Sequence, residues 1–237
     1  MINEFSLSNF SGMLPLFPLP SVVHFPNTLL PLHIFEKRYR RLLSDALEGE
    51  KLIGMAVLKP GWEEFYSGNP DIYPIACLGT ILKNEPMPDG RSNILLLGLK
   101  RVRIKEILKP LPYRTASVEI MEDSLDNLPK EEHQKIKNDL LELYSELVIE
   151  YAGSKHNFPT LSNAGLGLTE LTDALSACLG LPVPDLVTLL GENHVGFRAR
   201  FLKEKMVAML SKNISHSQTK TIVRPSLDSH LPDIHLN

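Results

Sequence analysis

The chain has 237 residues, 43% of them hydrophobic and 22% charged, with a formal net charge of −3. That length and balance suit a globular protein with a real core and exclude a disordered or fibrous composition. The small negative charge gives no global field toward nucleic acid or anionic lipid, and no uninterrupted apolar run approaches the ~20 residues of a membrane helix.

Met1 to Phe5 carries no basic segment, so no signal peptide is expected, and residues 1–13 read as a polar lead-in. In Leu14 to Leu19 apolar residues alternate with prolines, which places this strand at a sheet edge or at its beginning. The chain must reverse after Phe25-Pro26, and Asn27 suits that corner because asparagine accepts positive φ. A helix is expected from His33 to Leu47, with Phe35, Tyr39, Leu42, Leu43, Ala46 and Leu47 inward. Lys37, Arg38, Arg40 and Arg41 read as its solvated face.

Leu52 to Leu58 is a buried strand by length and bounding turns. The loop at 61–71 carries the single tryptophan, Trp62, together with Phe65 and Tyr66, and Tyr73 stands just beyond it. Aromatic rings in a loop either fold back as a satellite cluster or anchor a partner, and both readings stay open. As a partner site the candidates are Trp62, Phe65, Tyr66 and Tyr73. Strand character resumes from Tyr73 to Leu82, with Cys77 as a small core residue. Met87-Pro88-Asp89-Gly90 predicts a hairpin into Ser92–Gly98. A sharp turn is then expected before a half-buried strand at Lys100–Ile107, and Pro112–Ile120 is another strand.

Composition shifts near Leu125. A long helix should open at Pro129 and bury Ile136, Leu140, Leu143, Leu147 and Tyr151 before Gly153 ends it. Thr169 is the expected N-cap of a helix with Leu171, Ala174, Leu175, Cys178 and Leu179 on one face. A short helix follows Pro182. A last one should turn Phe197, Phe201, Leu202, Met209 and Leu210 inward. From 213 onward apolar anchors are few, which predicts a disordered tail. With two cysteines and no Cys-x-x-Cys, a disulfide scaffold or thiolate zinc site is not expected, and a reducing, cytoplasmic location is.

Leu14-Pro15-Leu16, Val22-Val23-His24-Phe25-Pro26-Asn27 and Pro31-Leu32 resemble the opening of the N-terminal, substrate-binding domain of Lon proteases, with Asn27 where the family often has glycine. Leu78-Gly79-Thr80-Ile81, Pro88-Asp89-Gly90, Gly98 to Ile104 and Pro112-Tyr113 extend the likeness in order and spacing, and the helical half continues it to about residue 212. No glycine is followed by lysine, as a phosphate-binding P-loop requires, and no Gly-Pro-Ser, Gly-x-Ser-x-Gly or His-Glu-x-x-His occurs. The resemblance thus implies the substrate-binding part of a Lon protease, as a small standalone protein without ATPase or peptidase motifs.

The expected fold is α+β. A PUA-like, largely antiparallel β pseudo-barrel with one embedded helix (14–125) precedes a helical bundle (126–212), with the lead-in at 1–13 and the tail at 213–237. The expected function is non-enzymatic: binding of exposed apolar or unfolded polypeptide, as an adaptor or chaperone-like module in protein quality control. No cofactor and no metal are expected, since His216, His230 and His235 lack helical ligand spacing. Two rivals stand beside it. One is RNA binding on a stripe of Lys100, Arg101, Arg103 and Lys105; the other is a small-molecule enzyme with its site between the lobes.

Overall fold

The computed structural model describes residues 7, 10–65, 68–109, 111–125, 129–152, 158, 159, 161 and 165–220. Six strands form one mixed sheet: β1 (Met13–Leu19), β2 (Leu29–Ile34), β3 (Leu52–Leu58), β4 (Ile72–Pro86), β5 (Ser92–Lys109) and β6 (Arg114–Met121). Their order is β2-β5-β4-β3-β1-β6, and an additional β5–β6 pairing closes the last five into a ring. Closure removes the open edges that those strands would otherwise present. β2 lies outside the ring, antiparallel to the first half of β5. All neighbours are antiparallel except β1 and β3, which are parallel, with Leu16 beside Gly54 and Leu19 beside Val57. A parallel pair needs a long crossover, and here β2 and the helix α1 (Lys37–Glu48) supply it.

Four helices follow the sheet: α2 (Lys130–Glu150), α3 (Leu168–Cys178), α4 (Val183–Gly191) and α5 (Val195–Lys220). Three apolar clusters hold the molecule together. The first draws Leu14, Leu16, Ala56, Leu78, Val102 and Ala116 from all five ring strands. The second joins Tyr39, Leu42, Leu43 and Ala46 of α1 to Phe17, Met55 and Leu96 of the sheet. The third sets Phe25, Ile75 and Cys77 from the β half against Leu140, Leu147, Leu171, Leu175, Leu189 and Leu202 of the helices.

The strand expected to end at Gly98 and the strand expected from Lys100 are one strand. The pairing to β4 shifts register between Leu78 and Gly79, where Lys100 and Gly98 are the partners, so Leu99 is an extra residue in a bulge. Gly98 is required there for space, because a Cβ would lie 2.1 Å from the Phe25 carbonyl oxygen. Asn27 takes the expected positive φ, 59°, and its N–H donates to the Gly98 carbonyl at 2.9 Å. The predicted hairpin is present, with Gly90 at φ 79° and its N–H on the Met87 carbonyl at 2.9 Å.

Several boundaries differ from the sequence reading. α1 begins at Lys37, so His33 belongs to β2. Phe35 is 60% exposed instead of inward, its ring stacked on His33 at 6.0 Å. The N-cap of α3 is Gly167, whose carbonyl accepts from Leu171 N–H, and Thr169 lies inside the first turn. On α5 the buried residues are Val195, Arg198, Ala199, Leu202 and Met206, while Phe197 is exposed and stacks on Phe201 at 6.1 Å. The inward face is rotated because Arg198 occupies a core position, which a charge takes only when carboxylates meet it. Helix α5 also runs to Lys220, past residue 213 where the tail was expected to begin. Gly153 and residues 221–237 lie outside the described residues.

Candidate functional site

A cleft opens where five segments meet at one end of the ring. Pro18 near the end of β1 and Leu58 at the end of β3 form its floor, and Arg38 and Tyr39 of the first turn of α1 stand on one side. Gly68, Asn69 and Pro70 give a second wall, and the β5–β6 connection from Leu111 to Arg114 a third. The cleft holds about 80 Å³ of accessible space. Leu111 at its rim is 67% exposed.

The side chains around the cleft are held by specific contacts. The Tyr39 ring packs on Phe17 with centroids 4.1 Å apart, and the Arg38 guanidinium lies over Tyr39, 4.7 Å from its centroid. Arg38 Nε also donates to Glu36 Oε2 at 3.0 Å. Tyr113 O–H donates to Asp45 Oδ2 of α1 at 2.6 Å; burial, then that bond, push the phenol up to about 12. Arg114 opens β6 and points inward with Ala116 and Val118, as strand alternation requires. Its Nη2 donates to the Pro70 carbonyl at 2.5 Å and its Nε to Asn69 Oδ1 at 3.4 Å, so Arg114 ties the aromatic loop to the sheet.

The aromatic candidates divide. Trp62 opens a 3₁₀ turn, Trp62–Phe65, and is half-buried. Phe65 closes that turn, and Tyr66 lies outside the described residues. Tyr73 is half-buried at the second residue of β4. The loop that bears the first three also supplies Gly68, Asn69 and Pro70 to the cleft, whereas Trp62 and Tyr73 are not among its lining residues. Arg38, Tyr39, Leu111 and Arg114 were not singled out as a site in the sequence. Arg114 did leave a signal, a charge at the parity of Ala116 and Val118 on a half-buried strand.

The basic stripe considered for RNA is not a stripe. Arg101 is 1% exposed and lies beneath the helices, where its Nη2 donates to Asp173 Oδ1 of α3. Lys100 pairs with Glu122 at 2.6 Å, and Lys105 pairs with Glu119. Between sheet and helices, Arg198 Nη1 stands 2.8 Å from Asp123 Oδ1, and Asn27 Nδ2 donates to Asp173 Oδ2 at 3.2 Å. Burial pushes the Asp173 carboxyl up, and Arg101 and Arg198 pull it back. Burial pushes both cysteine thiols up, so neither Cys77 nor Cys178 is an activated nucleophile. Among the described residues no group of three or more His, Cys, Asp or Glu could hold a metal ion. No helix among them is long and apolar enough to cross a membrane.

Comparison with known proteins now bears on the cleft. Residues 13–207 match the family model described as the ATP-dependent protease La (LON) substrate-binding domain. The chain belongs to that family. It is 29% identical over 220 residues to the Lon protease of Flavobacterium johnsoniae, covering 91% of this chain and 26% of that protein. It is 34% identical over 135 residues to the Lon protease of Dictyoglomus thermophilum, covering 57% of this chain and 16% of that one. The chain therefore spans about a quarter or less of those two relatives' length. The fold matches a Lon N-terminal domain protein from Xanthomonas campestris with a TM-score of 0.58 at 22% identity, covering 83% of this chain and 97% of the other. It also matches the N-terminal domain of the Mycobacterium avium complex Lon protease, with a TM-score of 0.58 at 15% identity and coverage of 82% and 98%. This LON domain carries its cleft between the aromatic loop and the β5–β6 connection.

Proposed function

We propose that this domain binds exposed apolar or unfolded polypeptide segments, without catalysis, as an adaptor or chaperone-like module in cytoplasmic protein quality control. The observation that carries the reading is the cleft itself. In a chain of a substrate-binding family, two tyrosines, an exposed leucine and two arginines line one small concavity, and the loop that follows Trp62 supplies Gly68, Asn69 and Pro70 to it. Aromatic and arginine side chains are the residues most enriched at interface hot spots, because they give large contact area at low entropic cost. The acidic residues Glu63 and Glu64 beside Trp62 keep the loop hydrated when free.

RNA binding draws little support from a surface whose Lys100 and Lys105 are already paired and whose Arg101 is buried. The test compares one client in native and in reduced, carboxymethylated form by fluorescence anisotropy against the intact chain. The unfolded form should bind saturably and the native form should not. Equal binding of both forms, or none, contradicts the proposal.

A further inference from the structure

Arg114 is a buried cation. It is 7% exposed, and its two hydrogen-bond acceptors, the Pro70 carbonyl and the Asn69 side-chain oxygen, are both neutral. No carboxylate among the described residues forms an ion pair with it. Burial, the largest cause, lowers its pKa; Tyr39 opposes that shift, Arg38 adds to it and Asp71 opposes it. A guanidinium does not escape by losing its proton, so it stays charged and incompletely compensated. A second guanidinium, that of Arg38, lines the same cleft.

The space beside these cations is small, and the rest of its lining is mixed: Pro18, Leu58 and Leu111 are apolar, while Tyr39, Asn69 and Tyr113 bring polar groups. An accessible space of about 80 Å³ is room enough for a small group such as a carboxylate on a short stem. Arginine recognises carboxylate through paired, charge-assisted N–H bonds.

We infer that the cleft binds a carboxylate carried on a short apolar group, namely the C-terminal residue of a polypeptide. The inference rests on the polypeptide-binding reading and narrows it: the cleft takes the end of a chain.

The test titrates the intact protein with a fluorescent hexapeptide ending in Ala-Leu, as the free acid and as the C-terminal amide. The acid should bind about tenfold more tightly, the worth of a charge-assisted hydrogen-bond pair. Excess acetate should compete with it. Arg38→Gln and Arg114→Lys should each remove the acid–amide difference. The comparison of the two peptides needs no variant, so it holds even where an Arg114 variant fails to fold. Equal affinity of acid and amide overturns the inference. Displacement by inorganic phosphate at lower concentration than by acetate assigns the cleft to a free oxyanion and overturns it also. Carboxymethylated client is titrated in parallel. If it binds while acid and amide are equal, only the carboxylate inference falls; if it does not bind, the broader reading falls too.

Discussion

Arg101 of β5 and Asp173 of α3 are 72 residues apart in sequence, and both side chains are fully buried against each other. Arg198 of α5 stands 3.5 Å from the same carboxylate oxygen, and Asp123 forms ion pairs with both arginines. The ring of strands and the helices are thus joined by an ion cluster as well as by apolar packing. Charge pairs of this kind add little net stability over an apolar contact, but half of one is costly. Asp173→Ala should therefore destabilise the protein by about 3–5 kcal/mol in urea unfolding, because it leaves two buried guanidinium groups to share the one remaining, partly exposed carboxylate of Asp123. Replacing Arg101 and Asp173 together, by Met and Leu, should recover much of that loss. Equal losses in the single and double variants would contradict the account.

Stability should fall in mild acid, and His24 is the reason. Burial holds its imidazole down to about 4, against 6.5 in an unfolded chain, although its bond to the Thr28 carbonyl opposes the shift. The unfolded state therefore takes up the proton first. Stability is complete above pH ~6.5 and declines until the folded pKa near 4, by about 3 kcal/mol in all. His24→Gln should flatten the pH dependence of the urea midpoint between those limits. A variant with an unchanged slope would show that other groups carry it.

Much of the fold is legible in the residues. The all-apolar run Leu52–Leu58 becomes the fully buried strand β3, and Asn27 takes the positive φ that its corner requires. What misleads is local pattern where tertiary contact decides. Phe35 fits the helical period of Tyr39 and Leu42, yet the strand pairing of β2 holds the chain extended through Ile34, so the ring stays outside. Leu99 follows a glycine and precedes a charged run, which reads as a turn; only the Phe25 carbonyl against Gly98 reveals a bulge. The candidate site was partly legible, since the aromatic loop stands out in composition. Arg38 did not, because a charge beside an apolar stripe looks the same whether it faces water or a cleft, and Arg114 showed only as a charge at the inward parity of β6.

The aromatic loop should separate binding from folding. Trp62 is half-buried, so Trp62→Ala should cost less stability than the ~3–5 kcal/mol of a fully buried ring. The same change should weaken binding of unfolded client by about 2 kcal/mol or more. Urea unfolding and anisotropy on one purified variant give both numbers. A large stability loss with client affinity intact in the folded fraction would make the loop a satellite core.

Truncation after Asn213 should leave the melting temperature nearly unchanged. The buried anchors of α5, Val195, Ala199, Leu202 and Met206, all precede it, as do the partly buried Met209 and Leu210. A fall of many degrees in differential scanning calorimetry would show that residues beyond 213 dock on the body.

These 237 residues should neither hydrolyse ATP nor cleave casein, given the missing Gly-Lys and Gly-Pro-Ser contexts. Turnover that survives purification and disappears on mutating a residue of this chain would overturn that expectation.

The central claim is that polypeptide is bound at the aromatic loop and its cleft. Hydrogen exchange of the intact chain, with and without carboxymethylated client, tests it most directly. The account predicts slowed exchange confined to residues 36–41, 59–71 and 109–114, the segments that surround the cleft. Slowed exchange on α2 to α5 instead, with those three segments unchanged, would contradict it.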